Sequence, residues 1–438
     1  MKHLFRSLRA AICLAIFLST GLPVIFPGLP AQAASSTPTL VVNANQVLRP
    51  VTHVASGGLY GLGSDTTPAD SMVMPLHPKV FVQMAPGGHQ LPNGEPAPGG
   101  DALVVAPKAA RAGAQVVVRM PDFYPNFPYK WVSWSNWISV VDGQIAARQA
   151  RPDIKNIEAW EIWNEPDWTW DTTNAGPFNA GWVRTYQEIR SKDRTTPIQG
   201  PSISFYNASF MSSFLSNAKA NNALPNIISW HELGGQGSIA ADIAAYRSLE
   251  ASLGISPRPI AIEEYATPNE VGIPGSLAGY IAKFERGGVD NAELAFWHQY
   301  GTFNDMVINN NQPNGAWWLY KWYGDMTGSM LVTTPPAQTG LDGAASVNAV
   351  RNQVSVIVGG GSGANAVTIN GLNALPAFSS HHATVTLEHV SSLGRTTPVP
   401  GTTVLSVTKY TITNGSITVP INSMNSADGY HLLITPAA

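Results

Sequence analysis
The stretch EIWNEPDWTW, at 161–170, sets a glutamate among tryptophans at the end of an apolar run. Carboxylates seldom sit among aromatic rings unless they are used. A ring can stack on the apolar face of a sugar, and an acid beside it can protonate a glycosidic oxygen. A second carboxylate in a similar setting lies further on, in PIAIEEYATP at 259–268. Two carboxylates facing each other across a sugar can perform a whole hydrolysis, one as general acid and then base, the other as nucleophile. Glu165 is the expected acid/base. Asn164 before it offers an amide to a sugar hydroxyl, and Pro166 fixes the turn leaving the strand. For the partner, strand alternation sends Glu263 and Glu264 to opposite sides. Glu264 shares its parity with Ile260 and Ile262, and Glu263 shares its own with Ala261. Either set can fill a barrel interior, so the residues alone leave that choice open.

These groups need a scaffold that brings distant segments together. From about 50 to 328, short apolar strands alternate with helical patterns. The expected strands are 53–60, 79–84, 114–120, 157–163, 197–203, 226–231, 259–264 and 291–297. Helix-like stretches between them include 134–150, 178–192, 208–221, 239–253, 276–286 and 315–326. Eight such units imply a (β/α)8 TIM barrel, with its active site at the C-terminal ends of the strands. A doubly wound open sheet would want a G-x-G-x-x-G turn after an early strand, and none is present. After about 330 helical periodicity stops. Short Val/Thr/Ile strands separated by turns, such as GGGSG at 359–363 and TNG at 413–415, read as a β-sandwich. The expected division is a barrel over 50–328, a sandwich over 329–438, and a strand within 34–49 that can join the sandwich.

Placed on that barrel, other side chains converge on the rim. Arg119 ends the third strand, His231 the sixth and Trp297 the eighth. His89 follows the second strand, Tyr265 follows Glu264, and Trp168 follows Glu165. All are expected at the substrate, as is an aromatic loop holding Phe123, Tyr124, Phe127, Tyr129 and Trp131. Competing readings are plainer. The Asn-Glu-Pro triplet could start a helix, Glu263-Glu264 could be a solvated pair, and His231 could be a hydrogen-bonded structural histidine. Arg119 could ion-pair with a catalytic carboxylate and keep it charged. Trp317, Trp318, Trp322 and Tyr323 sit at helical spacing and read as core. His381-His382 has no partners at metal-ligand spacing, so neither a metal nor another cofactor is assigned.

Together, WNEP at the end of a fourth strand and a Glu before an aromatic at the end of a seventh resemble clan A of the glycoside hydrolases, most of all glycoside hydrolase family 39. The resemblance implies a retaining (β/α)8 enzyme with a β-sandwich. It makes Glu165 the acid/base and Glu264, directly before the aromatic, the nucleophile. His231 matches a sixth-strand histidine of the clan and Trp297 an eighth-strand tryptophan that floors the first sugar subsite. The match is incomplete. Leu233 stands where a tyrosine usually follows the histidine, and the first strand lacks a Gly-Asn-Trp type motif.

The N-terminus reads as an export signal over residues 1–33. Lys2, Arg6 and Arg9 precede an apolar core, and Ala31-Gln32-Ala33 is a small-residue cleavage site, with the cut expected after Ala33. The apolar run is too short for a membrane anchor, so no integral membrane segment is expected in the mature chain. Without those three cations the formal net charge falls from −3 to −6, which disfavours nucleic acid as a partner. The only cysteine, Cys13, lies in this segment, which excludes disulfides and thiolate chemistry from the remainder. The expectation is a secreted retaining glycoside hydrolase with a carbohydrate substrate. A transglycosylase on the same site and an inactive carbohydrate-binding barrel are the alternatives.

Overall fold
The computed structural model describes residues 37–437. The export signal read at 1–33 lies outside them. Eight parallel strands close a barrel: Gly57–Leu59, Val80–Met84, Gln115–Arg119, Ile157–Glu161, Ile198–Ile203, Ile227–Glu232, Ile260–Tyr265 and Asn291–Leu294. The first is the shortest, because a turn that bonds Ser56 N–H to the His53 carbonyl occupies the start of the expected segment. It is also where the ring closes, and glycine is required there. A Cβ on Gly57 would lie 2.6 Å from the carbonyl oxygens of both Ala292 and Val80. Asn304 clips the seam, its amide donating to the carbonyls of Leu59 at 2.8 Å and Leu294 at 2.6 Å.

Helices cover the outside, among them Trp134–Gln149, Phe178–Lys192, Ala208–Ala220, Ile239–Ser252, Pro274–Gly287 and Gly315–Gly324. The helix Ala102–Arg111, capped by Asp101, escaped the reading of the sequence because Pro107 interrupts its pattern. Alternation sorts the strands into two faces. Val80, Val82, Val117, Ala159, Ile227 and Ala261 fill the barrel, while Val116, Val118, Trp160, Ile228, Ile260 and Ile262 pack under the helices. Further along the strands the same parity carries Arg119, Glu161, His231 and Glu263. The inner face thus turns polar toward the C-terminal rim.

A second sheet of nine strands wraps a separate core that includes Leu40, Val356, Val385, Val419 and Leu432. This is the β-sandwich. Its strands pair antiparallel, except that Thr39–Pro50 runs parallel to Gly363–Asn370 while pairing antiparallel with Ser329–Thr334. The chain therefore enters and leaves the barrel through adjacent strands of the sandwich. Asp342, 1% exposed, fastens the two layers. It accepts from Lys283 at 2.9 Å and from Arg286 at 2.8 and 2.6 Å, both cations lying on helix Pro274–Gly287. Removing one partner of a buried ion pair leaves uncompensated charge. Asp342→Ala is expected to cost about 3–5 kcal/mol, read as a lower denaturant midpoint. A midpoint within error of the parent would contradict this.

Candidate active site
The chain leaves the fourth barrel strand through Ile162, Trp163 and Asn164 and reaches Glu165 in a left-handed conformation, φ 52° and ψ 51°. Side chains rarely adopt that region, and such strain collects at functional sites. Neighbours hold it: the Glu165 N–H donates to the Ser202 carbonyl at 2.8 Å, and its carbonyl accepts from Thr169 N–H at 2.9 Å as Pro166 begins a short helix. The turn lifts the Glu165 carboxylate onto the rim. There Trp168 Nε1 donates to its Oε2 at 2.8 Å, and His231 Nδ1 lies 3.2 Å from its Oε1.

On the seventh strand the alternation is broken. Trp230 pairs with Ile262 but His231 pairs with Glu264, so Glu263 is an extra residue, a β-bulge. The bulge resets parity, and both glutamates face the inside. Glu263 is fully buried in the barrel, where its Oε1 accepts from Gln199 Nε2. Glu264, one step higher, lines the mouth. Of the two, it is Glu264 that faces Glu165: a carboxylate oxygen of each lies within 4.8 Å of the other. Tyr265 is turned outward by the same bulge. Its hydroxyl donates to the Ala55 carbonyl at 2.8 Å and bonds Tyr320, so it does not reach the cavity as expected.

A cavity of about 810 Å³ opens over the two glutamates. Arg119, Asn164, Trp168 and Trp297, four of the residues read from the sequence, line it. Tyr60, Gln90, Phe205 and Phe296 line it as well, unforeseen because their segments carry no motif. His89 does not; it is exposed, its ring edge-on to Phe123 at 5.6 Å, and its neighbour Gln90 is the residue that turns inward. Among the loop aromatics only Phe127 lines the cavity. Tyr129 and Trp131 pack against Trp163 instead, and with Trp134, Trp137 and Trp170 they form the bed under the Glu165 turn.

Charge is organised around His231, which is buried between the acids. Burial opposes a charged imidazole, but the negative charge of Glu264 and the hydrogen bond to Glu165 prevail and raise its pKa. Burial likewise pushes the Glu165 carboxyl up, yet the hydrogen bond and charge of His231 prevail and lower it. Both shifts favour the proton on the imidazole over the carboxyl. Arg119 donates from Nε to Glu161 at 3.0 Å and from Nη1 to Glu264 Oε1 at 2.7 Å. Burial opposes the charged guanidinium, but the negative charge of Glu161 and Glu264 outweighs it and raises the Arg119 pKa. Glu165, His231 and Glu264 could by spacing hold a metal ion. The Arg119 guanidinium already supplies positive charge at Glu264 Oε1, 2.7 Å away, and the trio is better described as two facing carboxyl groups with a histidine between them.

Glu232, next to His231, serves the fold. It accepts from Trp230 Nε1 at 2.8 Å, and burial pushes its carboxyl up to about 8. Between its ordinary value and about 8 the folded chain keeps a proton that the unfolded chain has lost. Its stabilisation is therefore complete in acid and disappears as pH rises through about 8. Glu232→Gln, which stays neutral, is expected to lose less melting temperature than the parent between about pH 5 and pH 9. Parallel losses in the two chains would contradict that.

No protein-family model matches the chain. It is similar to a curated 3-O-alpha-D-galactosyl-alpha-L-arabinofuranosidase of Bifidobacterium longum subsp. longum, 27% identical over 504 aligned positions that take in 98% of this chain and 43% of the relative. The chain thus spans less than half the length of that protein. Among solved structures, N2152 from Neocallimastix frontalis is 37% identical with a TM-score of 0.86, covering 92% of this chain and 100% of N2152. A family 39 β-xylosidase from Caulobacter crescentus, 14% identical with a TM-score of 0.59 over 91% of this chain and 100% of its own, shares the fold. Sequence kinship across the whole of N2152 places this chain in one family with that protein, and the likeness to the β-xylosidase shows a shared fold of barrel and sandwich.

Proposed function
We propose that the chain is an exported, retaining glycoside hydrolase that cleaves arabinofuranosyl-linked glycans by double displacement. The observation that carries this reading is the closeness of Glu165 and Glu264, within 4.8 Å at their nearest oxygens. Carboxylates about 5–5.5 Å apart suit a retaining enzyme, and about 6.5–9.5 Å an inverting one, which must fit a water between them. Glu264 attacks the anomeric carbon while Glu165 protonates the leaving oxygen. Glu165 then takes a proton from the water that releases the sugar. Arg119 holds Glu264 in place through an ion pair at 2.7 Å, and His231, 3.2 Å from Glu165, supplies the proton that Glu165 must carry. Asn164 has a buried side-chain oxygen without a partner, which a sugar hydroxyl would satisfy. The arabinofuranosyl preference draws on the name of the Bifidobacterium relative, and export draws on the signal-like segment at 1–33.

We assign the cavity's aromatic rim to the leaving side of the substrate. Trp168, 53% exposed, bonds Glu165 and meets Phe127, 44% exposed, edge-on at 5.4 Å, a pair of large rings beside the acid. Among the described residues the sandwich contributes none to the lining of this cavity, so its part in glycoside cleavage is to brace the barrel. The function is tested by offering aryl α-L-arabinofuranosides, β-xylopyranosides and β-galactopyranosides to the full chain and following the first product by proton NMR. Preferential release of arabinose with its anomeric configuration kept is expected. First-formed product of opposite configuration would overturn the mechanism, and preference for a pyranoside would overturn the substrate.

A further inference from the structure
Three strands of the sandwich bring a serine, a histidine and a glutamate into one hydrogen-bonded row. Ser355 lies on Val354–Gly359, His431 on Gly429–Pro436 and Glu388 on His382–Val390, with the histidine's strand in the middle. The register pairs Ser355 with Leu433 and Glu388 with His431, so alternation puts all three side chains on one face. His431 Nδ1 is 2.7 Å from Glu388 Oε2, and its Nε2 is 2.8 Å from Ser355 Oγ. A ring nitrogen facing a carboxylate carries the proton, which leaves Nε2 to accept from the serine hydroxyl. This is the order of nucleophile, base and orienting carboxylate that activates a serine, and it recurs on unrelated folds without a shared sequence motif.

The surroundings suit that chemistry. The His431 hydrogen bond holds the Glu388 carboxyl below its ordinary range, keeping it an anion beside the imidazole. The row faces a cavity of about 390 Å³, closed on its other side by helix Gly315–Gly324 through Trp318 and Trp322. The Trp322 ring stacks on His431, centroids 5.2 Å apart and planes at 24°, which fixes the imidazole. Gln353 and Lys321 line the same space and carry donors, Lys321 being paired with Asp325, which lines it as well. Ser355 is 6% exposed, so this cavity is the way to it. None of these residues lines the cavity of the barrel.

We propose that this cavity is a second active site, a serine esterase that removes an acetyl-sized acyl group from a carbohydrate hydroxyl. Ser355 Oγ bonds to the acyl carbon as its proton passes to His431 Nε2. The bond from that carbon to the sugar oxygen breaks, and His431 returns the proton to the departing alkoxide. Water then attacks the acyl-serine, giving a proton to His431; the carboxylic acid leaves and Ser355 regains its proton. The volume accommodates an acetyl group and about one sugar ring. The carbohydrate part rests on the function proposed above; the esterase chemistry does not.

The test uses the full chain with two probes, p-nitrophenyl acetate and acetylated arabinoxylan, alongside labelling by a fluorophosphonate with the modified peptide mapped by mass spectrometry. Label on Ser355 is expected, together with acetate release that falls by about 100-fold or more in Ser355→Ala. Aryl arabinofuranoside turnover should be unchanged in that variant, and Glu264→Ala should keep its acetate release. Equal hydrolysis of p-nitrophenyl acetate by parent and Ser355→Ala, or no label at Ser355, would overturn the esterase and leave the row a tie between strands. Ser355-dependent turnover of the aryl acetate without acetate release from the glycan would overturn the carbohydrate substrate alone.

Discussion
Glu264→Ala is expected to abolish turnover of every glycoside, activated or not. The nucleophile makes the first bond to the anomeric carbon, so no quality of leaving group compensates for its absence. The loss should be on the order of 10⁴-fold or more, about 5–6 kcal/mol of transition-state stabilisation. Structure should survive, because Glu264 lines the open cavity rather than the packed interior. Its partner Arg119 retains Glu161, bound at 3.0 Å. The neighbour supplies the control. Glu263→Gln keeps the volume and the contact with Gln199, and is expected to retain glycosidase activity. A dead Glu263→Gln chain beside an active Glu264→Ala chain would reverse the assignment on this strand.

Glu165→Ala should behave differently, because this group moves a proton and forms no bond to carbon. An aryl glycoside with a good leaving group needs little acid, so its first step should survive in large part. On the natural glycan the loss should be about 10²–10⁴-fold. The second step lacks its base, and the glycosyl-enzyme should accumulate. The emptied space beside His231 admits a small anion that needs no base. Azide should therefore restore turnover and appear in the product with configuration retained. Azide rescue of Glu264→Ala with retained configuration, in place of Glu165→Ala, would exchange the two roles.

Much of this was legible in the sequence because the barrel writes itself plainly. Most of its strands are buried on both faces and read as short apolar runs, and the site lies where those runs turn polar. Glu165 announced itself through a local motif. The seventh strand did not, because a bulge is invisible to a count of alternating residues: Glu263 and Glu264 both face inward, and parity could not choose between them. The same bulge turned Tyr265 away. His89 failed for a related reason, since a glycine-rich loop has no period to say which of His89 and Gln90 points inward. The tryptophans of 122–170 carried the right chemistry, yet most of them bed the turn and only Trp168 reaches the cavity. Ser355, Glu388 and His431 are far apart in sequence and share no motif. Only the strand order of the second sheet puts them side by side.

The central claim, that a covalent sugar forms on Glu264 with Glu165 opposite, is tested most directly by trapping it. A 2-deoxy-2-fluoro arabinofuranoside with an activated leaving group slows both steps but is loaded quickly, so the intermediate persists. After digestion, mass spectrometry should find one added fluorosugar on the peptide holding PIAIEEYATP, with fragment ions placing it on Glu264. The same sugar found on Glu263 or Glu165, or no label while the inhibitor is turned over with inversion, would contradict the account.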